Sequence, residues 1–363
     1  MKPIRPAPLP AAVSAVAPKV DRRLENLFES EQARWTEVDP DLMAPLGALR
    51  ACTMSGGKRL RPAFCYWAFV GCGGAVDDPA VIDAGAALEM LHTAALVHDD
   101  VIDRSDRRHG IDTVHVEQAA RHVAGGWNGR PDRFGAGVAI LIGDLALVYS
   151  DRLLAGSPDT AAAVFDEMRL EVNFGQYLDV LGAAQGVDIA GQVAVARARR
   201  ICRYKTAKYT VERPLHLGAA LAAPEDLGEM AGPLSQFGLP LGEAFQLRDD
   251  LLGVFGDPAT TGKPVGDDLR EGKPTLLASL AASRATGAAG QMMADRFGAE
   301  DLDASEVARL QEIIEATGAR AEVERTVRSL LDAAMEALES LPLAAPAVAA
   351  LGELADFVAG RDH

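Results

Sequence analysis

Residues 84–103 read AGAALEMLHTAALVHDDVID. The part from Ala84 to Val97 is rich in Ala and Leu, and its only ionisable residues are Glu89 and His92. This composition predicts a helix that is buried over most of its surface. A cap residue followed by proline at Asp78-Pro79 predicts the start of the helix. The pattern continues for about seven turns and leads directly into an acidic cluster.

The acidic cluster has the spacing of a chelate. Residues four apart on a helix lie one above the other, so Asp99 and Asp103 present two carboxylates on one face, roughly 6 Å apart. Magnesium prefers hard oxygen ligands and usually takes one or two protein carboxylates together with phosphate oxygens. The pair therefore predicts Mg²⁺ on a diphosphate substrate. The alternative is a merely solvated helix end, and the buried helix that leads into the cluster argues against it.

A second acidic segment, QLRDDLLG at residues 246–253, also ends a long apolar stretch. Two long helices that each end in Asp residues suggest a central pair lining one cavity. Helical bundles build metal sites in this way.

The composition favours a mostly helical protein. Of 363 residues, 48% are hydrophobic and only 5% aromatic, and long stretches lack the alternating β-branched pattern of strands. We predict an all-α fold, a helical bundle around a central cavity, with a single domain over residues 21–363. Residues 1–20 are rich in Pro and Ala and are predicted to be a disordered tail.

Charge and hydropathy exclude several classes of protein. The net charge of -16 argues against a nucleic-acid partner or an anionic membrane surface. The longest strongly apolar run, Ala136 to Gly143, is shorter than the roughly 18 residues needed to span a bilayer, so no transmembrane segment is predicted. The opening residues lack a signal-peptide core, and the four cysteines lack the spacing of a metal site. We therefore expect a cytoplasmic protein with reduced thiols.

Basic residues cluster near both acidic segments. GGKRLRP at residues 56–62 places three cations after a glycine pair, which lets backbone and charge close around a phosphate group. Arg107-Arg108-His109 follows the first acidic segment, and two Gly-Lys pairs, at 262–263 and 272–273, follow the second. A P-loop is excluded, because five residues separate Gly256 from Gly262 and Pro264 stands at the Ser/Thr position.

In this order, the motifs resemble those of the trans-isoprenyl diphosphate synthases, also called polyprenyl synthetases. The resemblance covers about residues 25–360 and rests on GGKRLRP, EMLHTAALVHDD, DDVID with Arg108, Lys205-Thr206, FQLRDD and GKPVGDDLREGKPT. It implies an all-α and usually homodimeric enzyme. Such an enzyme uses Mg²⁺, two or three ions per active site, to condense an allylic diphosphate with isopentenyl diphosphate into a longer all-trans prenyl diphosphate, and it releases diphosphate.

The resemblance also implies roles for individual residues. The residues implied to bind isopentenyl diphosphate are Lys58, Arg61, His92 and His109. Those implied to contact the allylic diphosphate are Arg108, Lys205, Lys263 and Lys273. The implied magnesium ligands are Asp99, Asp103 and Asp249, supported by Asp100 and Asp250. Near the reacting carbons, dipoles that stabilise positive charge would come from Thr206 and Gln246. The residues alone leave open that His92 is a core histidine and Lys205 a surface lysine.

Two positions depart from the family pattern. His109 stands where a second Arg normally follows Arg108, so a titratable ring replaces a fixed fork of donors. Gly253 stands where the second acidic motif usually has a third Asp. Asp257 lies about two turns beyond Asp249 and some 80° around the helix, so it is not an equivalent ligand. We expect activity to survive because Asp249 remains.

Product length depends on the residues about one turn before the first acidic cluster. Ala94 and Ala95 stand where short-chain members of the family often carry aromatic residues, which leaves room for a tail beyond fifteen carbons. Leu91, one turn further from the cluster, would be the next residue that limits the length of the prenyl tail. The resemblance is therefore to the bacterial geranylgeranyl diphosphate synthases, with a product of twenty carbons.

Two other functions fit parts of the pattern. A class I terpene cyclase uses similar acidic helices to ionise one diphosphate, but it needs no isopentenyl pocket such as Lys58 and Arg61 imply. A non-catalytic subunit of a heteromeric prenyl synthase is opposed by the intact Asp99, Asp103 and Lys205.

Overall fold

A computed structural model of the chain describes residues 9–108, 111–185, 191–256, 266–299 and 301–360. Helices make up most of these residues, so the predicted all-α fold is confirmed. The only strands within those ranges, Arg107–Arg108 and Ile111–Asp112, pair antiparallel with Arg107 opposite Asp112.

The chain divides into two compact units. The N-terminal unit consists of Pro8–Ala162 with Leu217–Pro224, and the C-terminal unit contains Ala163–His216 with Glu225–His363. The single domain expected over residues 21–363 stays a prediction.

The N-terminal unit is built around one long apolar helix. Its helices are α1 (Ala11–Ser14), α2 (Ala17–Thr36), α3 (Met43–Met54), α4 (Leu60–Gly71), α5 (Pro79–Ile102), α6 (Val114–Ala124) and α7 (Pro131–Leu153), with a 3₁₀ turn at Pro40–Leu42. Helix α5 packs against α2, α3, α4, α6 and α7. Leu88, Met90 and Val97 of α5 are completely buried. The core therefore surrounds the apolar stretch that leads into the first acidic cluster.

Helix α5 begins and ends where the sequence predicts. Pro79 is its first residue, and Oδ1 of Asp78 accepts a 2.9 Å hydrogen bond from the backbone N–H of Ala80. This is a capped helix start. At the other end, the backbone N–H of Asp103 donates to the carbonyl oxygen of Asp99 at 2.8 Å. The acidic cluster thus occupies the last turn, where the negative end of the helix dipole favours cations.

The predicted disordered tail is wrong over residues 11–20. Helix α1 and the start of α2 cover most of this stretch, and Val13, Val16 and Val20 are at most 1% exposed. The indole N–H of Trp67 also donates to the carbonyl oxygen of Ala12 at 2.8 Å. Pro and Ala dominate the composition, but valines three and four residues apart supply an apolar face that packs on the core.

The remaining helices are α8 (Asp159–Gln185), α9 (Gly191–Ile201), α10 (Arg213–Ala222), α11 (Leu227–Phe255), α12 (Asp267–Glu271), α13 (Leu276–Arg284), α14 (Gly287–Arg296), α15 (Ala304–Ala316), α16 (Ala319–Glu339) and α17 (Ala345–Ala359), with a 3₁₀ turn at Pro224–Asp226. Helices α8 and α10 each have residues in both units. In the C-terminal unit, α11 packs against α16 and α13 around Leu277, Leu310 and Val323. Helix α11 runs through both Pro233 and Pro240.

Residues Cys202–Glu212 form a π-helix. Its i→i+5 hydrogen bonds replace the i→i+4 ladder of an α-helix, and such turns are frequent at functional sites. The sequence predicts an ordinary helical pattern over residues 189–222, because apolar periodicity does not distinguish the two windings. The π-helix packs against α11 and carries Lys205 and Thr206.

Helices α5 and α7 are long and apolar enough, by length and composition, to cross a membrane. In the most apolar window of each, 67% of α5 and 39% of α7 is buried within the protein. A buried core helix has the same composition, so these properties are weak evidence for a membrane span. The absence of a transmembrane segment stays a prediction.

Candidate active site

The first acidic cluster lies at the end of α5. Asp99 is half-buried and Asp103 is exposed. The 2.8 Å backbone bond between these two residues keeps them one turn apart on the same face. The spacing expected of a two-carboxylate chelate is therefore present, at the helix end that favours positive charge. Their role as metal ligands stays a prediction.

Asp100, between these two acids, is 3% exposed and paired with Arg108. Both Nε and Nη2 of Arg108 donate to Oδ1 of Asp100, at 2.9 and 2.7 Å. Burial opposes the charge on Arg108, but the bond to Asp100 and the charges of Asp100 and Asp99 raise the pKa of the guanidinium above its usual value. The cation expected on the allylic diphosphate is therefore held in place by the acid next to Asp99.

The basic segment GGKRLRP separates its three cations. Lys58 is exposed and Arg61 is half-buried, whereas Arg59 is only 7% exposed. Nε of Arg59 donates to Asp21 at 2.8 Å, Nη1 to Glu89 at 2.5 Å and Nη2 to a backbone carbonyl at 3.0 Å. The expectation that all three cations surround a phosphate group is wrong for Arg59, which anchors the segment to the core.

The backbone explains why Arg59 turns inward. Its φ of 49° and ψ of 35° lie in the left-handed region, and Gly57, two residues earlier, has a φ of 98°. A non-glycine residue is strained in this region, so the buried ion pairs of Arg59 must hold the turn. The spacing of charges in the sequence gives no sign of this reversal.

The other predicted residues of the N-terminal unit lie on α5. His92 is half-buried, seven residues before Asp99 and so on the same side of the helix. Leu91 and Ala94 are 3% and 1% exposed, and Ala95 is half-buried. His109, predicted at the isopentenyl side, lies outside the described residues.

On α11, a short hydrogen-bond chain leads to the second acidic segment. The hydroxyl of Thr206 donates to Oε1 of Gln246 at 2.6 Å, and Nε2 of Gln246 donates to Oδ1 of Asp250 at 2.7 Å. Asp249 is exposed, whereas Asp250 is 6% exposed. Burial first, and then the charge of Asp268, raise the pKa of Asp250 well above its usual range, although the bond from Gln246 lowers it.

Asp268 occupies the space left by the missing third acid of this segment. A Cβ built on Gly253 would lie 2.1 Å from Oδ2 and 2.5 Å from Cγ of Asp268. The volume that a side chain at position 253 would enter is therefore filled by a carboxylate from α12. Asp268 lies in the quoted motif GKPVGDDLREGKPT, but the sequence does not indicate that it faces Gly253.

Of the three lysines implied to contact the allylic diphosphate, the structure describes Lys205 and Lys273, and both are paired with acids. Nζ of Lys205 donates to Oδ2 of Asp179 on α8 at 2.5 Å. Nζ of Lys273 lies 2.5 Å from Oε2 of Glu271 and 3.6 Å from Oδ1 of Asp268. Asp179 is an acid in a largely apolar helical stretch, and the need of such an acid for a partner could have identified it. Lys263 and Asp257 lie outside the described residues.

The carboxylates that could hold a metal ion are Asp99 and Asp103 in one unit and Asp249 in the other. Within the described ranges, no group of three or more His, Cys, Asp or Glu side chains is arranged to hold a metal ion. Oxygen donors present singly or in pairs suit Mg²⁺, which completes its shell with water and substrate phosphate. They lack the thiolate and imidazole groups that are typical of protein zinc sites.

Comparison with known proteins identifies the family of the chain. The family model for polyprenyl synthetase matches residues 46–315. A geranylgeranyl diphosphate synthase of Mycobacterium tuberculosis is 34% identical over 305 residues, 83% of this chain and 79% of that protein. A geranylfarnesyl diphosphate synthase of Aeropyrum pernix is 31% identical, over 89% of this chain and 96% of that one.

The fold is also that of solved structures. A geranylgeranyl pyrophosphate synthase from Corynebacterium glutamicum, complexed with isoprenyl diphosphate and magnesium, superposes with a TM-score of 0.88. The two sequences are 36% identical, over 98% of this chain and 99% of that one. The chain therefore belongs to the polyprenyl synthetase family, transferases that make trans-prenyl diphosphates.

Proposed function

We propose that the protein is a Mg²⁺-dependent prenyltransferase that joins an allylic diphosphate to isopentenyl diphosphate and releases diphosphate. The observation that carries the proposal is the pair Asp99 and Asp103 at the end of α5, beside an Arg108 that Asp100 holds in place. The same unit carries a separate basic segment at Lys58 and Arg61. One cation group with metal-binding carboxylates and one without them suit two different diphosphates.

Two substrates must be held with their reacting carbons near contact distance. Lys58, Arg61 and His92 would bind isopentenyl diphosphate, which keeps its diphosphate through the reaction. Arg108, Lys205, Lys263 and Lys273 would bind the diphosphate that leaves the allylic substrate. Separate cation clusters prevent the two substrates from exchanging places.

Departure of the allylic diphosphate requires its developing charge to be neutralised. Asp99 and Asp103 would hold Mg²⁺ on the allylic diphosphate, and Asp249 would hold a further ion; as Lewis acids these ions would neutralise much of that charge. Arg108 and Lys205 supply fixed positive charge, which is effective because the protein has already oriented it. The C–O bond breaks, the double bond of isopentenyl diphosphate attacks the allylic carbon, and the departing diphosphate takes up the proton that is then lost.

Thr206 and Gln246 have a defined part in this scheme. Because the hydroxyl proton of Thr206 is donated to Gln246, the lone pairs of Thr206 Oγ1 are what this residue offers to a substrate. Oxygen lone pairs stabilise a neighbouring allylic cation without forming a bond to it.

We propose a product of twenty carbons. On α5, Leu91 and Ala94 are buried and Ala95 is half-buried. The side chains about one turn before Asp99 are therefore small, and the larger Leu91 lies one turn further from Asp99. Chain length is a matter for experiment, since the relatives named above make products of different lengths. Ala95→Phe is expected to shorten the product to fifteen carbons, with Ala333→Phe on an exposed face of α16 as control.

We also propose a cytoplasmic homodimer. The proposal is supported by large apolar side chains that are exposed on two helices. On α7 these are Ile140, Leu141 and Val148, and on α8 they are Leu170, Phe174, Tyr177 and Val180. Leu170, Phe174 and Tyr177 lie on one face of α8, and contiguous exposed apolar residues mark interaction surfaces. Light scattering of the purified chain tests the assembly, and a monomer would contradict it.

The function is tested with purified protein, Mg²⁺, labelled isopentenyl diphosphate and each allylic diphosphate in turn, with products identified by mass spectrometry. The expected result is geranylgeranyl diphosphate from the farnesyl primer. Chains that stop at fifteen carbons or pass thirty would contradict the product length. Hydrocarbon released from geranylgeranyl diphosphate alone would indicate a cyclase, and activity only after mixing with another protein would indicate a heteromeric subunit.

A further inference from the structure

We infer that Gly175 and Gly242 are positioning residues that fix Lys205 and Thr206 through direct contact with the backbone of the π-helix. The inference rests on the prenyltransferase function proposed above. It adds two residues that carry no functional group and would not be chosen as part of a site.

Gly175 lies on α8 against the first half of the π-helix. A Cβ added to Gly175 would stand 2.5 Å from the backbone N and 2.8 Å from the Cα of Lys205, and 2.8 Å from the carbonyl carbon of Tyr204. These are backbone atoms, which cannot rotate away as the end of a side chain can. Four residues further along α8, on the same face, Asp179 accepts the 2.5 Å bond from Nζ of Lys205. One helix face therefore fixes both the backbone and the amine of Lys205.

Gly242 repeats this arrangement on α11. A Cβ added to Gly242 would lie 2.6 Å from the Cα and 2.7 Å from the carbonyl oxygen of Ala207. Four residues later, Gln246 accepts the 2.6 Å bond from the hydroxyl of Thr206. Each flanking helix thus contributes a glycine that contacts the π backbone and, one turn on, the polar partner of one predicted site residue.

The two contacts reach different sides of the π-helix. Gly175 meets the backbone at Lys205 and Gly242 meets it at Ala207, and residues two apart on a helix do not share a face. The π-helix is therefore held between two glycine surfaces in the C-terminal unit. A π ladder is rarely stable by itself, so its winding depends on these contacts from outside.

Ion pairs hold the other end of the π-helix to α8. Nε and Nη2 of Arg213 donate to the two carboxylate oxygens of Glu171, each at 2.7 Å, and Nζ of Lys208 pairs with the same carboxylate. Glu171, Gly175 and Asp179 are spaced four residues apart and so lie along one face of α8. The anchored end resists rotation, which concentrates any displacement caused by a substitution at Gly175 on Lys205.

Alanine substitutions test the inference, because the chain offers a matched control. Gly232 lies on α11, as Gly242 does, but a Cβ added there meets nothing within 4 Å. We expect Gly175→Ala and Gly242→Ala to lower kcat/KM for the allylic diphosphate about 100-fold, since a shift of about 1 Å in a catalytic group has an effect of that order. The KM for isopentenyl diphosphate is expected to stay unchanged, and Gly232→Ala is expected to behave as wild type.

Double variants separate positioning from a general packing role. If Gly175 acts through Lys205, then Gly175→Ala added to Lys205→Ala causes little further loss, because the positioned amine is already absent. The same holds for Gly242→Ala added to Thr206→Ala. Losses that multiply fully in both pairs would overturn the inference, as would equal changes in the KM of both substrates.

A measurement without substrate keeps this inference separate from the proposed function. The protein is treated with an amine-acetylating reagent. Mass spectrometry measures the rate at which Lys205 is acetylated relative to the other lysines. We expect faster labelling of Lys205 in Gly175→Ala, where the contact with Asp179 is displaced, and the wild-type rate in Gly232→Ala. An unchanged rate in Gly175→Ala overturns the inference even if activity falls.

The possible outcomes remain distinct. If the wild type transfers no prenyl group but Lys205 labelling responds as expected, the proposed function fails and the positioning stands. Thermal unfolding accompanies every assay. Loss of folding in both glycine variants would assign these residues to the stability of the fold and overturn the inference.

Discussion

The acidic cluster on α5 and the acidic cluster on α11 each bury one carboxylate, but the two buried carboxylates have different partners. Asp100 receives two hydrogen bonds from the guanidinium of Arg108. Asp250 receives one from the neutral amide of Gln246 and has the charge of Asp268 nearby. The buried acid of the first cluster is paired directly with a cation, whereas the buried acid of the second is bonded to a neutral amide and lies near another carboxylate.

This difference indicates separate tasks for the two clusters. A cluster whose buried acid is already paired can leave Asp99 and Asp103 to a metal ion. A cluster in which acids face one another gains stability when cations arrive with the substrate, because like charges in a buried site repel. We therefore expect the cluster on α5 to be preformed and the cluster on α11 to depend more on ligands.

The largest expected effect comes from removing one exposed carboxylate of each cluster. Asp99→Ala is expected to lower kcat/KM about 1,000-fold and Asp249→Ala about 100-fold, since Asp99 is half of the proposed two-carboxylate chelate and Asp249 is a single proposed ligand. Steady-state kinetics with saturating Mg²⁺ measure both. Asp332→Ala, an exposed acid on α16, is the control. Equal losses in the two variants would remove the asymmetry between the clusters.

Restoring the third acid of the second cluster is expected to destabilise the protein. In Gly253→Asp the new side chain meets the carboxylate of Asp268, and overpacking with a second buried charge costs about 2–4 kcal/mol. Chemical denaturation measures the free energy of unfolding. Asp268→Ala in the same chain is expected to relieve most of the cost, because it vacates the space. A Gly253→Asp variant as stable as wild type would contradict the placement of Asp268.

The ion pair between Asp100 and Arg108 is the next test. Asp100→Asn is expected to cost about 2–3 kcal/mol, because a charge-assisted contact is lost and the partly buried Arg108 keeps only the counter-charge of Asp99. The free energy of unfolding is measured at pH 7 in metal-free buffer. A cost below that of ordinary surface substitutions would show that Arg108 and Asp100 are not paired in solution.

The smallest effect is expected from the corresponding change on α11. Burial raises the pKa of Asp250, so the ionised form at pH 7 weakens the fold, and Asn keeps an oxygen that can accept the bond from Gln246. Asp250→Asn is therefore expected to lie within about 1 kcal/mol of wild type, on the stabilising side. The same denaturation measurement applies. A loss as large as that of Asp100→Asn would contradict the contrast between the clusters.

The fold and part of the site could be predicted because their signals are local. The cap at Asp78, the apolar run of α5 and the spacing of Asp99 and Asp103 all lie within one helix. The position of Asp268 against Gly253 depends on how the chain returns after α11, which no local pattern encodes. The inward turn of Arg59 likewise depends on distant acids.

At helix α1 and at the π-helix, the difference between the prediction from sequence and the structure has another physical cause. The sequence does not predict helix α1, because a composition rich in Pro and Ala suggests disorder, although Val13 and Val16 are buried. The sequence predicts an ordinary helix in place of the π-helix, because both windings expose similar apolar stripes over so short a span. Only the packing against α8 and α11 distinguishes them.

The π-helix makes the length of the chain in this stretch a constraint of its own, in addition to the identity of its residues. Removing one residue between Ala207 and Glu212 would allow the narrower i→i+4 ladder to form. Each residue of an α-helix turns the chain by about 100°. The whole preceding segment would rotate. Lys205 would then lose its contact with Asp179, and Thr206 would lose its contact with Gln246 at the same time. Homologous enzymes with this site are therefore expected hardly ever to carry an insertion or deletion in this stretch.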